Sequence, residues 1–178
     1  MPKGPRGTAG APPAAAAPAM EETFGPLSLT MLFDTPLVHI WRVAFLANTF
    51  TGPLYRVVGE RFGLTRPQFV ILFCLSQGGP VAAKDICLAT GLPKNSISRA
   101  VSELLSRGLI ARQTEDKDKR KKTLALTQEG RALLEEVVPL FSARQSAMRA
   151  GLSADEAEQF DSLLGKLVMA MPGWPQPG

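Results

Sequence analysis

Apolar residues recur at helical spacing along most of this chain and switch to strict alternation only once. Leu37, Ile40, Trp41, Ala44 and Phe45 fall on one helical face, and after Gly52-Pro53 the pattern resumes with Leu54, Val57, Val58 and Phe62. One kinked helix or two is the expectation there. Thr65-Arg-Pro-Gln68 has the form of a capping box, with Thr as N-cap, Pro67 tolerated in the first turn and Gln68 reaching back to the cap N–H. It predicts a helix over 66–76. The text Phe69-Val-Ile-Leu-Phe-Cys-Leu75 is apolar nearly all round, as expected of a helix buried at the centre of a domain. Gly78-Gly79-Pro80 should end it.

Two short helical stretches follow, 82–90 and 94–107, joined by Gly91-Leu-Pro93. A helix of about nine residues, a tight turn containing Gly and a longer helix make a helix-turn-helix. Ile97, Val101, Leu104 and Leu105 are its expected inward positions, and Gly108 its C-terminal stop. The period then falls to 2. Leu109-Ile-Ala-Arg-Gln113 and Lys122-Thr-Leu-Ala-Leu126 flank a charged run, 114–121, that reads as a hairpin tip. A helix-turn-helix followed at once by a charged hairpin is a winged helix. Thr127 can cap a further helix with a stripe of Leu133, Val137, Leu140, Phe141, Arg144 and Met148, which Pro139 should kink. Gly151 ends that helix and Ser153-Ala-Asp-Glu156 caps the next, whose stripe is Phe160, Leu163, Leu164, Leu167, Val168 and Met171.

The expected fold is mainly α: a winged helix-turn-helix with a small β-hairpin wing, flanked by N- and C-terminal dimerisation helices. Fifteen of the first twenty residues are Ala, Pro or Gly, so 1–26 reads as a disordered tail. Five prolines and the absence of Leu, Ile, Val or Phe before Phe24 deny this tail the apolar stretch of a signal peptide, and a cytoplasmic protein is expected. Residues 27–62 then form an N-terminal dimerisation region, 63–127 the winged helix, 128–171 the C-terminal dimerisation helices, and 172–178 a frayed end. With 178 residues, 45% of them hydrophobic, the chain suits one core, and no apolar run is long enough for a bilayer. One histidine and two cysteines exclude a four-ligand Cys/His zinc cluster and a disulfide scaffold. Neither a metal nor a cofactor is expected. No Gly-rich phosphate loop or nucleophile elbow occurs, and Glu135-Glu136, being adjacent, point apart on a helix, so an enzyme is not expected.

The formal net charge of +4 is small, but its distribution is uneven. Residues 94–122 hold nine basic and four acidic side chains, a net of +5, so the rest of the chain sums to −1. The whole excess lies on the second helix of the helix-turn-helix and on its wing, the two elements that meet a duplex together. A helix entering the major groove offers its first turns to base edges. Lys94, Asn95 and Ser98 are therefore candidates for base contact, with Ser96 and Arg99 bridging to phosphate or base. The tip residues Lys117, Asp118, Lys119, Arg120 and Lys121 are candidates for phosphates and the minor groove.

From about Trp41 to Leu167 the order of elements and the local text resemble the MarR family of winged-helix transcription regulators. The likeness is densest at Phe62-Gly-Leu-Thr-Arg-Pro-Gln-Phe69, at Ile97-Ser-Arg-Ala-Val-Ser-Glu-Leu-Leu-Ser-Arg-Gly-Leu-Ile110 and at Asp118-Lys-Arg-Lys-Lys-Thr-Leu-Ala-Leu-Thr-Gln-Glu-Gly130. The family's wing pattern, Asp-x-Arg followed by a strand ending in Leu-Thr-x-x-Gly, falls on Asp118, Arg120, Leu126, Thr127 and Gly130. The resemblance implies a minor-groove role for Arg120, with Asp118 orienting a basic neighbour. Lys119 stands where many relatives carry Arg, which keeps the charge and loses the planar fork.

The resemblance also implies a homodimer on double-stranded DNA, a pseudo-palindromic site, repression, and relief by a small aromatic or phenolic effector. The residues give an independent reason for the dimer: their stripes present more apolar surface than one small winged helix can cover. Leu37, Ile40, Leu140, Phe141, Phe160, Leu163, Leu164 and Leu167 are its expected contacts. His39, Trp41, Arg42, Phe69 and Phe73 combine polar with aromatic groups and are the effector candidates. Two alternatives stand beside this reading: a winged-helix protein-interaction module without specific DNA binding, and an oxidant-sensing regulator of the same fold. Cys74 reads as core and Cys87 lies near Lys84, but no cysteine precedes residue 74, which speaks against oxidant sensing from the N-terminal region.

Overall fold

The computed structural model describes residues 11–115 and 118–175. In chain order the elements are α1 (Ala17–Phe24), α2 (Pro26–Phe33), α3 (Val38–Phe62), α4 (Arg66–Gly78), α5 (Ala83–Thr90) and α6 (Lys94–Ser106). They continue with β1 (Ile110–Glu115), β2 (Asp118–Leu126), α7 (Gln128–Arg149) and α8 (Ala154–Ala170), closed by a 3₁₀ turn at Met171–Gly173. Two compact units divide after Arg56.

The N-terminal unit differs from the sequence expectation. A tail without structure was expected through residue 26, yet α1 occupies its second half, while residues 1–10 lie outside the described residues. Composition understated this segment because Pro18 falls in the first turn of α1, where its missing N–H costs nothing. Phe24 then anchors the helix, its ring meeting Phe45 edge-on at 5.0 Å between centroids. Arg42 stitches α2 to the start of α3, its Nε donating to the Leu32 carbonyl (2.8 Å) and its guanidinium lying 4.5 Å over the Phe33 ring. The pattern break at Gly52-Pro53 does not divide α3 in two. One proline removes a single helical donor, and the Thr49 and Thr51 hydroxyls add bonds to the carbonyls of Phe45 and Ala47, 2.7 Å each, on the turns before it.

The core of the second unit is built from Val58, Leu64, Ile71, Leu72, Ile86, Ile97, Leu104 and Val137, all essentially inaccessible. Helix α4 begins as its capping box requires, with the Thr65 N–H donating to Gln68 Oε1 (2.8 Å). It is less enclosed than its composition suggests, because Phe73 is 40% exposed and Cys74 half-buried. Strands β1 and β2 pair antiparallel, Ile110 opposite Leu126 and Arg112 opposite Leu124, with an irregularity between Thr114 and Glu115. Val81, just before α5, adds an antiparallel bridge to Leu124 through two backbone bonds of 3.1 and 2.9 Å. Nothing local in the sequence marks that bridge.

Helix α7 runs unbroken through Pro139, but its buried stripe is Gly130, Leu134 and Val137; Leu133, expected inside, is half-buried. Its first turn is locked at Gly130, and the i, i+4, i+7 positions counted from there are the ones that turn inward. Helix α8 buries only Ala157, and its apolar stripe faces outward.

Helix α8 starts from a complete capping box. The Ser153 N–H donates to Glu156 Oε2 (2.8 Å) and the Glu156 N–H donates to the Ser153 hydroxyl oxygen (3.3 Å). The Ser153 backbone N–H first, and its hydroxyl second, hold the exposed Glu156 carboxyl below the ordinary carboxylate range. A depressed folded-state pKa gives stability that is complete above the unfolded value and lost as pH falls through the folded one. Glu156→Gln retains an oxygen acceptor but does not titrate. Thermal unfolding by circular dichroism should therefore show a wild-type advantage at neutral pH that shrinks as the carboxylate protonates; a difference constant from neutral to strongly acidic pH would contradict it.

Candidate nucleic-acid interface

Helix α6 separates its residues by chemistry. Ile97, Ala100, Val101 and Leu104 are buried, while Lys94, Asn95, Ser98 and Arg99 are exposed on its first two turns and Ser96 is half-buried. Pro93 starts the helix, its carbonyl accepting from the Ile97 N–H (3.1 Å), and so frees Lys94 and Asn95 to project from the first turn. Four of the five residues expected to meet bases or phosphates thus share one polar, cationic surface.

The other end of α6 is held by polar ties to three elements. Glu103 Oε2 accepts a 2.6 Å hydrogen bond from Nε2 of Gln68, a side chain only 4% exposed. Arg107 donates through Nη1 to the Gly63 carbonyl (2.8 Å) and through Nη2 to the Phe62 carbonyl (3.1 Å), satisfying acceptors at the end of α3. Gly108 then adopts φ +69°, and the Gly108 and Leu109 N–H groups bond the carbonyls of Leu105 and Leu104, the paired bonds of a Schellman stop. The Gly108 carbonyl accepts from the Thr127 hydroxyl (2.8 Å), whose oxygen also accepts from the Gly130 N–H (3.0 Å) at the start of α7. One threonine therefore caps α7 and ties it to the end of α6.

Gly130 completes this junction. A Cβ there would overlap the Leu109 carbonyl oxygen and press on Leu126 Cδ2 at 3.1 Å. Its position is set by close backbone approach, which the spacing of the Leu-Thr-x-x-Gly motif does not reveal by itself. Glu103 and Arg107 belonged to the charge count of the binding face, yet both turn to protein partners. Both remain exposed while making these bonds, and with one charge of each sign set aside the excess is still +5.

Of the wing residues, Lys117 and the side chains of Asp118, Lys119, Arg120 and Lys121 lie outside the described residues. The backbone of β2 begins at Asp118 and pairs it with Glu115. Arg112 and Lys122, nearer the base of the hairpin, are exposed.

The effector candidates fall in different places. His39 and Trp41 are exposed in the N-terminal unit. Arg42 borders an apolar hollow of about 420 Å³ there, among Met20, Leu29, Phe33 and Phe45. Phe69, expected at a ligand site, is buried in an aromatic stack, its ring parallel to Phe141 at 4.2 Å and inclined by 22° to Phe73 at 5.9 Å. The apolar text of α4 required that ring for packing. Phe73 lines a cleft of about 370 Å³ between α4 and α7, with Leu134 and Val138 as walls and Gln77, Arg131 and Glu135 as polar groups. Burial pushes the Cys74 thiol up, away from thiolate character. Among the described residues no cluster of His, Cys, Asp or Glu could hold a metal ion, and no helix is long and apolar enough to cross a membrane.

Of the expected dimer contacts, Leu37, Ile40, Leu163, Leu164 and Leu167 are between 48 and 65% exposed. Leu140, Phe141 and Phe160 are half-buried.

Residues 62–121 match the MarR family model, from the end of α3 into the wing. The fold is similar to that of a MarR/EmrR family regulator from Acinetobacter sp. ADP1, at 24% identity over 76% of this chain and 96% of that one, with a TM-score of 0.69. It is similar also to S. aureus MepR in complex with DNA, at 22% identity over 76% and 97%, TM-score 0.67. A third similar structure is Bordetella bronchiseptica BpsR, whose DNA binding is regulated by 6-hydroxynicotinic acid, at 28% identity over 71% and 98%, TM-score 0.58. The family match covers the winged helix, residues 62–121, and the fold around it is similar to that of these MarR-family structures.

The junction at Gly130 makes a direct test. Gly130→Ala should lower stability by about 2–3 kcal/mol through overpacking against backbone. Urea unfolding measures this, and a loss below about 0.5 kcal/mol, the range of ordinary surface substitutions, would show that the two segments separate freely.

Proposed function

We propose that this protein is a homodimeric repressor that reads a pseudo-palindromic DNA site with α6 and its wing and releases it on binding a small aromatic anion. The observation that carries the reading is the division of α6, whose buried face is wholly apolar while its first two turns expose Lys94, Asn95, Ser98 and Arg99. An exposed apolar face on α6 would have favoured a protein partner instead. The wing residues Lys117, Asp118, Lys119, Arg120 and Lys121 join this surface through the family likeness, with Arg120 in the minor groove. DNA as partner assigns the protein to the cytoplasm with the chromosome, and no step of the reading calls for catalysis.

Dimerisation is supported by the exposed stripe of α8. Leu163, Leu164, Leu167 and Val168 are each about half exposed, as is Trp174 beyond the helix end. A contiguous apolar face of this kind marks an association surface, and a two-fold pairing would cover it. The reading counts Leu37 and Ile40, exposed in the N-terminal unit, among the dimer contacts as well. The effector reading is supported by the cleft beside Phe73, where Arg131, which also donates to the Leu126 carbonyl (3.3 Å), is the cation suited to an anion. The ligand regulation of BpsR supports an effector of that class.

Selection from a random duplex pool by the wild-type protein should yield a site with two similar halves spaced by about one helical turn. Arg99→Ala and Arg120→Ala should each weaken that site by about 5- to 150-fold in an anisotropy titration, the span of one lost base or groove contact. Unchanged binding by both variants would overturn the assignment. Light scattering should give twice the chain mass, and Leu164→Glu/Leu167→Glu should give a monomer with weakened binding to the two-half site; a wild-type monomer at micromolar concentration would refute the dimer.

A further inference from the structure

The first half of α6 exposes its polar side chains, while Glu103 on its second half and Arg107 at its C-cap, one turn apart, bond to protein groups. Resting on the DNA-reading assignment above, we infer that Glu103 is a positioning residue for base recognition: through Gln68 it sets the orientation at which α6 is held against α4, and Arg107 steadies the same half of the helix against the end of α3.

The geometry of Gln68 carries the inference. Its amide is used at both ends, Oε1 accepting from the Thr65 N–H (2.8 Å) and Nε2 donating to Glu103 (2.6 Å). The oxygen is committed to the start of α4, so the amide cannot turn over without breaking the cap, and its NH₂ group has one direction in which to point. Because the side chain is almost wholly buried, losing its acceptor costs more than losing an exposed pair would. Apolar packing through Ile97, Val101 and Leu104 tolerates small rotations of α6 about its axis. A short hydrogen bond between side chains fixed on different helices is directional and does not. Glu103 lies two turns beyond Asn95, so a rotation at one changes the aim of the other.

A positioning role predicts loss of discrimination more than loss of affinity. Base contacts depend on aim within tenths of an ångström, whereas phosphate attraction does not. Glu103→Leu and Glu103→Gln remove the same negative charge, and of the two only Gln still offers Gln68 an acceptor. Their shared electrostatic change cancels when they are compared with each other. Anisotropy titrations would use the duplex selected by the wild-type protein and a shuffled duplex of equal length, with urea unfolding confirming that both variants are folded.

Relative to Glu103→Gln, Glu103→Leu should weaken the selected duplex by about five- to tenfold, the scale of one hydrogen bond, and leave the shuffled duplex within about twofold. Glu103→Gln should retain the wild-type ratio of selected to shuffled affinity. Equal losses on both duplexes, no difference between the variants, or loss of the ratio in Glu103→Gln would each overturn the positioning role. If the wild-type protein enriches no duplex, the DNA-reading assignment fails first, and the two failures are distinguished.

Discussion

Gly130 sits against the carbonyl of Leu109, and most of what is specific about the winged helix depends on that contact. Two backbones approach so closely that no side chain fits between them, and the approach joins three elements. Gly108 ends α6 in a left-handed turn, Leu109 leads into β1, and Thr127 bonds both the Gly108 carbonyl and the Gly130 N–H. The wing leaves and returns through this one junction. Its register, with Ile110 opposite Leu126, follows because both strands start from fixed points. The inward face of α7 follows too, since counting in helical steps from Gly130 reaches Leu134 and Val137.

The same junction explains why α6 can present a polar face of several charged and amide side chains without further support on its first turns. Its second half is held by the stop at Gly108, by Arg107 on the carbonyls of Phe62 and Gly63, and by Glu103 on Gln68. Buried apolar groups supply most of the free energy, but they are nondirectional. The polar ties, each worth little by itself, are directional, and a helix that must aim side chains at base edges needs direction more than additional stability. Among the described residues no buried side-chain nitrogen or oxygen lacks a hydrogen-bond partner, so this organisation carries no unpaired polar group to offset.

Helix α8 obeys a different constraint. It is capped at its start as carefully as any helix in the chain, yet it buries a single alanine. A helix of this length with an outward apolar stripe gains little from the rest of its own chain, although helices are stabilised chiefly by the packing of their apolar face. The fold therefore leaves Leu, Val and Met side chains of this helix exposed.

Periodicity and caps make most elements legible in the sequence alone. Thr65-x-x-Gln68 and Ser153-x-x-Glu156 marked two helix starts, Gly108 a helix end, and the change of period at Leu109 the wing. All are local, depending on residues within one or two turns of each other, and local chemistry is what a linear text records. The exposed candidates on α6 were legible for the same reason, because the apolar stripe of a helix determines which residues lie opposite it. What the text could not supply are pairings between distant residues: Gln68 with Glu103, Arg107 with the end of α3, Val81 with Leu124, Phe69 inside a stack with Phe141. Helix α1 was hidden by composition, since an Ala- and Pro-rich segment orders only when something such as Phe45 is there to receive Phe24. The sequence by itself determined where helices begin, which faces are apolar and where the charge lies, because each of these is set by neighbours along the chain. Only the tertiary structure decided which charged residues are spent on holding α6 and which remain to meet a partner, because that depends on what the fold brings within hydrogen-bonding distance.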